Sequence, residues 1–269
     1  MPPSLPRDID CSSMVFRNKN IHLCGGENNV KRCLQWDDGT WKDHSILNEK
    51  RLMHCAVTTR SATFIFGGIY SETTYEYLPK DSNTWIKGKN EIPGGFEEGC
   101  AIAVNSEQEI WLIGGSMNYK RILSFNIVDH TFQELPFQLN VGRFGHKCTF
   151  IPNTNKIIVT GGALRYNNLF GKGIKTSTEI IDTEDGDVTM ISSSMNICRA
   201  YHGMGVVTIN GQDQLVVFGG RNDQGEKLNS VELYNIKTEK WENAEIKLNE
   251  PQGNFGFLTI KLSDVISKL

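Results

Sequence analysis

With 269 residues, a formal net charge of −3 and 39% apolar residues, the chain has material for one large domain or two small ones. It carries no basic excess of the kind that nucleic acid selects. No apolar run approaches the roughly 18 residues of a membrane span, and the N-terminal MPPSLPRDID lacks the apolar core of a signal peptide. Seven cysteines, an odd number, with no Cys-x-x-Cys pair and no Asn-x-Ser/Thr sequon, point to free thiols in a reducing setting, cytoplasmic or nuclear.

A short strand-forming run that stops at two glycines recurs along the chain. In order these are IHLCGG (21–26), TFIFGG (63–68), IWLIGG (110–115), IIVTGG (157–162) and LVVFGG (215–220). The pairs Gly25/Gly26, Gly67/Gly68, Gly114/Gly115, Gly161/Gly162 and Gly219/Gly220 are spaced by 42, 47, 47 and 58 residues. Each run has the length and Ile/Val/Leu/Phe content of a buried strand. A period of this size with strand content indicates propeller blades rather than helical solenoids.

Upstream of each pair lies a second strand: CSSMVF (11–16), CAVTT (55–59), CAIAV (100–104), CTFI (148–151) and GMGVVTI (203–209). Downstream lies a third that ends in a turn and an aromatic residue. VELYNIKTEKW (231–241) is the clearest, YEYLPKDSNTW (75–85) and LSFNIVDHTF (123–132) match it, and CLQWDDGTW (33–41) is shorter. The aromatics are Trp41, Trp85, Phe132 and Trp241, and a fourth, outer strand follows each.

These features resemble the kelch repeat, a four-stranded propeller blade with a strand ending in Gly-Gly and then a Tyr–turn–Trp segment. Tyr77/Trp85 and Tyr234/Trp241 match that pattern, Phe125/Phe132 substitute in the third repeat, and IIDTEDGDVTMI (180–191) departs from it. The resemblance covers about residues 7–262. It implies an all-β, kelch-type β-propeller occupying 1–269 as one domain. Blades are expected at about 7–48, 51–93, 96–138, 143–193 and 199–246. A partial blade from 251–269 would make six, with a five-bladed ring as the alternative. RDIDC (7–11) parallels RLMHC (51–55) and marks the first blade's entry.

In such a blade the loop after Gly-Gly and the loop entering the next inner strand share one face, the family's usual ligand surface. Arg7, Arg51, Arg143 and Arg199 precede inner strands, and Arg221 adds another guanidinium there. A guanidinium fork suits carboxylates and phosphates, so the partner expected on this face is a protein or acidic peptide. The alternative is that these arginines bond carbonyls between blades. Glu97 and Glu98 in GFEEG (95–99) bring acid into the same ring. Tyr70, Tyr119 and the long fourth loop, with Arg165, Tyr166, Asn167 and Phe170, are further contact candidates.

His54, His146 and His202 recur with the repeat, which indicates a structural role; no metal and no cofactor are expected. Cys11, Cys55, Cys100 and Cys148 read as small buried hydrophobes. GRNDQGEK (220–227) misses the P-loop because Glu226 stands where lysine is required. No nucleophile elbow, zinc-binding His-Glu-x-x-His or dinucleotide fingerprint is present.

The function implied is a non-enzymatic protein-interaction module. The resemblance extends this to a substrate receptor of a ubiquitin ligase. A sugar-mutarotase-like enzyme using the Arg and His groups is the alternative, and an actin-binding or scaffold role a third.

Overall fold

The computed structural model describes residues 10–28, 30–104, 107–164 and 173–253. Among them every strand belongs to one of five antiparallel four-stranded sheets, each with its strands in sequence order. Blade 1 contains β1 (Ser13–Arg17), β2 (Asn20–Cys24), β3 (Arg32–Asp37) and β4 (Thr40–Ile46). Blade 2 contains β5 (Cys55–Thr58), β6 (Ala62–Phe66), β7 (Tyr75–Pro79) and β8 (Ile86–Lys87). Blade 3 contains β9 (Cys100–Val104), β10 (Glu109–Ile113), β11 (Ile122–Asn126) and β12 (Phe132–Glu134). Blade 4 contains β13 (Lys147–Phe150), β14 (Lys156–Thr160), β15 (Thr178–Asp182) and β16 (Val188–Met190). Blade 5 contains β17 (Gly203–Ile209), β18 (Gln212–Phe218), β19 (Leu228–Asn235) and β20 (Lys240–Gln252). The first strands of successive blades lie side by side, β1 on β5, β5 on β9, β9 on β13 and β13 on β17.

The second strands are mostly apolar towards their glycine ends because both faces of each blade are buried there. Side chains alternate along a strand, and each parity serves a different interface. In β6, Ile65 packs with Cys24, Cys33 and Leu47 of blade 1, while Phe64 and Phe66 pack with Ile110, Leu112 and Phe125 of blade 3. In β10, Trp111 and Ile113 turn to Ile157 and Val159 of blade 4. In β14, Ile158 turns to Met204, Leu215 and Val217 of blade 5. The aromatics after the third-strand turns sit at the same seams. Trp85 packs with the blade 1 group and donates Nε1–H to Ser45 Oγ at 3.0 Å. Trp241 joins the blade 4 group, Phe132 lies against the blade 2 group, and Trp41 packs beside Leu23 and Leu34.

One backbone step repeats at every blade junction. The N–H of the second glycine donates to the residue that opens the next blade: Gly26 to Arg51 O, Gly68 to Phe96 O, Gly115 to Arg143 O and Gly162 to Arg199 O. Gly220 makes the same bond to Gln252 O at 2.8 Å. Five blades are therefore described where six were expected. Residues 251–252 of the expected partial blade close β20, Gly253 follows, and the rest lies outside the described residues.

Two further expectations change. Cys11 pairs with Met53 across the entry, its C=O accepting Met53 N–H. Glu27 N–H bonds Asp10 O as Ile69 N–H bonds Leu52 O. Asp10 is thus equivalent to Leu52, so the position matching Arg51 is residue 9. Arg7 lies outside the described residues. The cysteines are not all free thiols either. Disulfides join Cys24 to Cys33 across β2 and β3, and Cys100 to Cys148 between the inner strands of blades 3 and 4. Cys11, Cys55 and Cys198 are free. The cysteines therefore no longer argue for a reducing compartment. No helix among the described residues is long and apolar enough to cross a membrane.

The first glycine of each pair has a positive φ, and at Gly25, Gly67, Gly114 and Gly161 there is no room beside it. At Gly67 (φ +58°) a Cβ would lie 1.7 Å from Phe96 O. Gly39, at a hairpin tip with φ +75°, has nothing within 4 Å. Gly39→Ala should cost only the left-handed penalty, about 1–2 kcal/mol. Gly67→Ala should cost more than about 4 kcal/mol or prevent folding. Urea unfolding of the two variants checks this, and equal losses would contradict it.

Candidate functional site

The connector entering blades 2, 4 and 5 has the form Asn-x-x-Arg-x-x-His, and each member has an internal use. Arg51 donates from Nη1 to Gly67 O (2.8 Å) and Thr74 O (3.0 Å), and from Nε to Glu76 Oε1 (3.1 Å). Arg143 does the same with Gly161 O (2.6 Å), Ser177 O (3.1 Å) and Glu179 (2.5 Å). Arg199 repeats it with Gly219 O (2.8 Å), Ser230 O (3.3 Å) and Glu232 (2.6 Å). All three arginines and all three glutamates are at 0% exposure. The guanidinium collects the carbonyls left where the second strand ends, and the carboxylate balances its charge.

Each carboxylate also holds the connector behind it. Glu76 accepts the N–H groups of Asn48 (2.6 Å) and Glu49 (3.0 Å). Glu179 accepts those of Asn140 (2.7 Å) and Val141 (3.2 Å). Glu232 accepts those of Asn196 (2.6 Å) and Ile197 (3.2 Å). Arg51, Arg143 and Arg199 were expected on a partner-binding face. The structure corrects this: no partner can reach groups so buried.

Blade 3 carries out the same joint without ions. Phe96 stands at the arginine position, with its N–H on Glu72 O (2.8 Å) as Arg143 N–H is on Tyr119 O (2.8 Å). Leu123 stands at the glutamate position, and both residues are in one apolar cluster. Pro93 replaces the asparagine, so the lost carboxylate leaves no N–H without an acceptor at that position. Gly99 replaces the histidine, because a Cβ there would lie 2.5 Å from the Phe96 ring.

The histidines fit between glycine pairs. A Cβ on Gly114 would lie 2.7 Å from His146 Cε1, and one on Gly162 would lie 2.8 Å from His146 Cβ. Burial, with a nearby arginine, pushes His54 down to about 3 and holds His146 and His202 well below the usual imidazole range. His202 Nε2 is 2.9 Å from Thr160 Oγ1.

What remains exposed on the glycine face includes aromatic, apolar and acidic side chains along with lysines such as Lys50 and Lys120. At its centre a chain of backbone bonds runs from blade to blade: Met53 N–H to Cys11 O, Glu98 N–H to Met53 O, Gly145 N–H to Glu98 O and Tyr201 N–H to Gly145 O. Tyr201 Oη donates across it to Glu98 Oε1 at 2.5 Å. Tyr119, Phe144 and Tyr201 form a ladder of rings with centroids 6.1 and 6.3 Å apart. Farther out, Tyr70 is 63% and Met117 50% exposed. Tyr70 N–H donates to Glu72 Oε1 (3.3 Å). A Cβ on Gly95 would touch both Glu72 Cβ (3.4 Å) and Met117 Cε (3.5 Å), so these loops are contiguous. Arg221 is half-buried with Nη1 on Gly225 O (2.9 Å).

A family model described as the Kelch motif matches residues 200–245, which is blade 5 from its entry to the middle of β20. That match, with five sheets repeating one junction, supports a kelch-repeat β-propeller. No curated protein matches the chain.

Of the kelch-face candidates, Tyr70, Tyr119 and Arg221 are at the surface or half-buried there, while Arg165, Tyr166, Asn167 and Phe170 lie outside the described residues. Met117 and the Glu98–Tyr201 pair were not singled out from sequence. Met117 lay in a short polar loop with no pattern, and the pair joins residues 103 apart. The enzyme reading loses its named groups, since the Arg and His sets do not converge on a pocket but are spent inside the blades.

Two outcomes follow from the joints. Glu179→Ala leaves Arg143 buried without its counter-charge and should cost about 3–5 kcal/mol. Moving the blade 3 set into blade 4 (Asn140→Pro, Arg143→Phe, His146→Gly, Glu179→Leu) should cost less than that single change. A larger loss for the fourfold variant would contradict the equivalence. For the histidines, the folded state resists protonation, so stability is complete above about pH 6.5 and falls as pH drops towards 3. The slope should approach about 1.4 kcal/mol per pH unit for each histidine. Urea midpoints measured from neutral to mildly acid pH check this, and a flat profile would contradict it.

Proposed function

We propose that this kelch propeller is a protein-interaction module that receives its partner on the glycine face, over blades 2 and 3. The observation that carries the reading is the exposure of Tyr70 and Met117 on neighbouring loops of blades 2 and 3, on a face where Arg51, Arg143 and Arg199 are internal. Large apolar side chains held out by a rigid scaffold are the material of binding hot spots. Tyr70 is held there at φ +79°, a conformation that costs a bulky residue energy and is retained where the surroundings impose it. Kelch propellers serve generally as interaction modules. Substrate reception for a ubiquitin ligase in the cytoplasm would be one use of such a face. The small-ligand enzyme has no specific observation in its favour.

The test is affinity capture of a partner, followed by a binding constant for the purified pair. Tyr70→Ala/Met117→Ala should weaken binding by about 30-fold, equivalent to about 2 kcal/mol. Its melting temperature should stay close to that of the unmodified chain. Unchanged affinity in that variant would overturn the placement.

A further inference from the structure

The patch around Tyr70 and Met117 also has a charge, and it is opposite to the one expected from sequence. With Arg51, Arg143 and Arg199 internal, carboxylates are among the groups left beside the patch. Glu72 lies between Tyr70 and the Pro93–Gly95 turn. Glu97 reaches Ser116 Oγ at 2.5 Å, next to Met117. Glu98 sits behind, held by Tyr201. The one nearby guanidinium that points into this turn, Arg121, is occupied with Gly95 O at 2.8 Å. Lys50 and Lys120 flank the sector from its edges.

Exposed Tyr70 and Met117, with the Glu72 and Glu97 carboxylates near them, complement a side chain that is apolar along its stem and cationic at its tip. Arginine and lysine have that form.

We propose that the Tyr70–Met117 patch, with Glu72 and Glu97, docks a basic segment of a partner protein, one that presents Lys or Arg beside an apolar anchor. This rests on the protein-interaction reading and adds the partner's chemistry. An acidic peptide, which the sequence suggested, would meet like charge here with no accessible arginine of the repeated set to receive it.

The test uses the full chain and three sets of short labelled peptides matched in apolar content, basic, neutral and acidic, followed by fluorescence anisotropy. The basic set should bind at least about tenfold more tightly than the other two. That preference should shrink as salt rises from about 50 to about 200 mM. Glu72→Gln/Glu97→Gln should remove most of it, while Tyr70→Ala/Met117→Ala should weaken all binding. Equal binding of all three sets, still lost in Tyr70→Ala/Met117→Ala, would overturn the charge inference and leave the protein-binding reading standing. Tighter binding of the acidic set, a basic preference indifferent to Glu72→Gln/Glu97→Gln, or no binding by any set would also overturn it. Unfolding curves for each variant separate these results from loss of fold.

Discussion

The structure depends on how one blade hands the chain to the next. At each junction the second glycine's N–H meets a carbonyl of the chain that follows the blade's third strand, at Arg51, Phe96, Arg143, Arg199 and Gln252 in turn. That contact needs two backbones to touch, and no side chain can stand between them. The touching strands leave carbonyls behind, and buried carbonyls require donors. In three blades an arginine supplies the donors and a glutamate supplies the counter-charge. The glutamate then ties down the preceding connector through two N–H groups. Glycines, arginine, glutamate and asparagine thus form one joint, repeated.

Blade 3 shows which parts of the joint depend on one another. Phe96 and Leu123 replace the ion pair, Pro93 removes the donor that the missing carboxylate would have served, and Gly99 makes room for the Phe96 ring. A buried ion pair contributes little net stability over an apolar pair of matching shape, whereas half of one is costly. The set has therefore changed as a unit. The change also releases the connector around residues 93–98 from carrying an arginine. That connector is where Glu97, Glu98 and the turn between Glu72 and Met117 are found, so the blade that departs from the pattern is the one that shapes the exposed patch.

The blades were legible in the sequence because their signals are local. TFIFGG is apolar at both parities, and both faces of β6 are buried against different neighbours. The role of the arginines was not legible, because Arg51, Arg143 and Arg199 meet glutamates 25, 36 and 33 residues away. A trace did exist: each glutamate follows Ser or Thr by two positions, in TYE, STE and SVE. The parallel between RDIDC and RLMHC misled because matching letters carry no register; backbone bonds at Asp10 and Cys11 place that entry two residues later. The disulfides escaped for the same reason. Cys100 and Cys148 come together only once neighbouring blades are in register.

Arg51, Arg143 and Arg199 lie inside the propeller, so on the proposed face a partner would meet tyrosine, methionine and carboxylate and none of these three guanidinium groups. The most direct measurement of that claim is arginine-selective modification of the native chain with phenylglyoxal, mapped by mass spectrometry. Arg60 and Arg32, with side chains 88% and 49% exposed, should react readily. Arg51, Arg143 and Arg199 should stay unmodified until the chain is unfolded. Reaction of those three at the rate of Arg60 in the folded protein would contradict the account and return the arginines to the binding face.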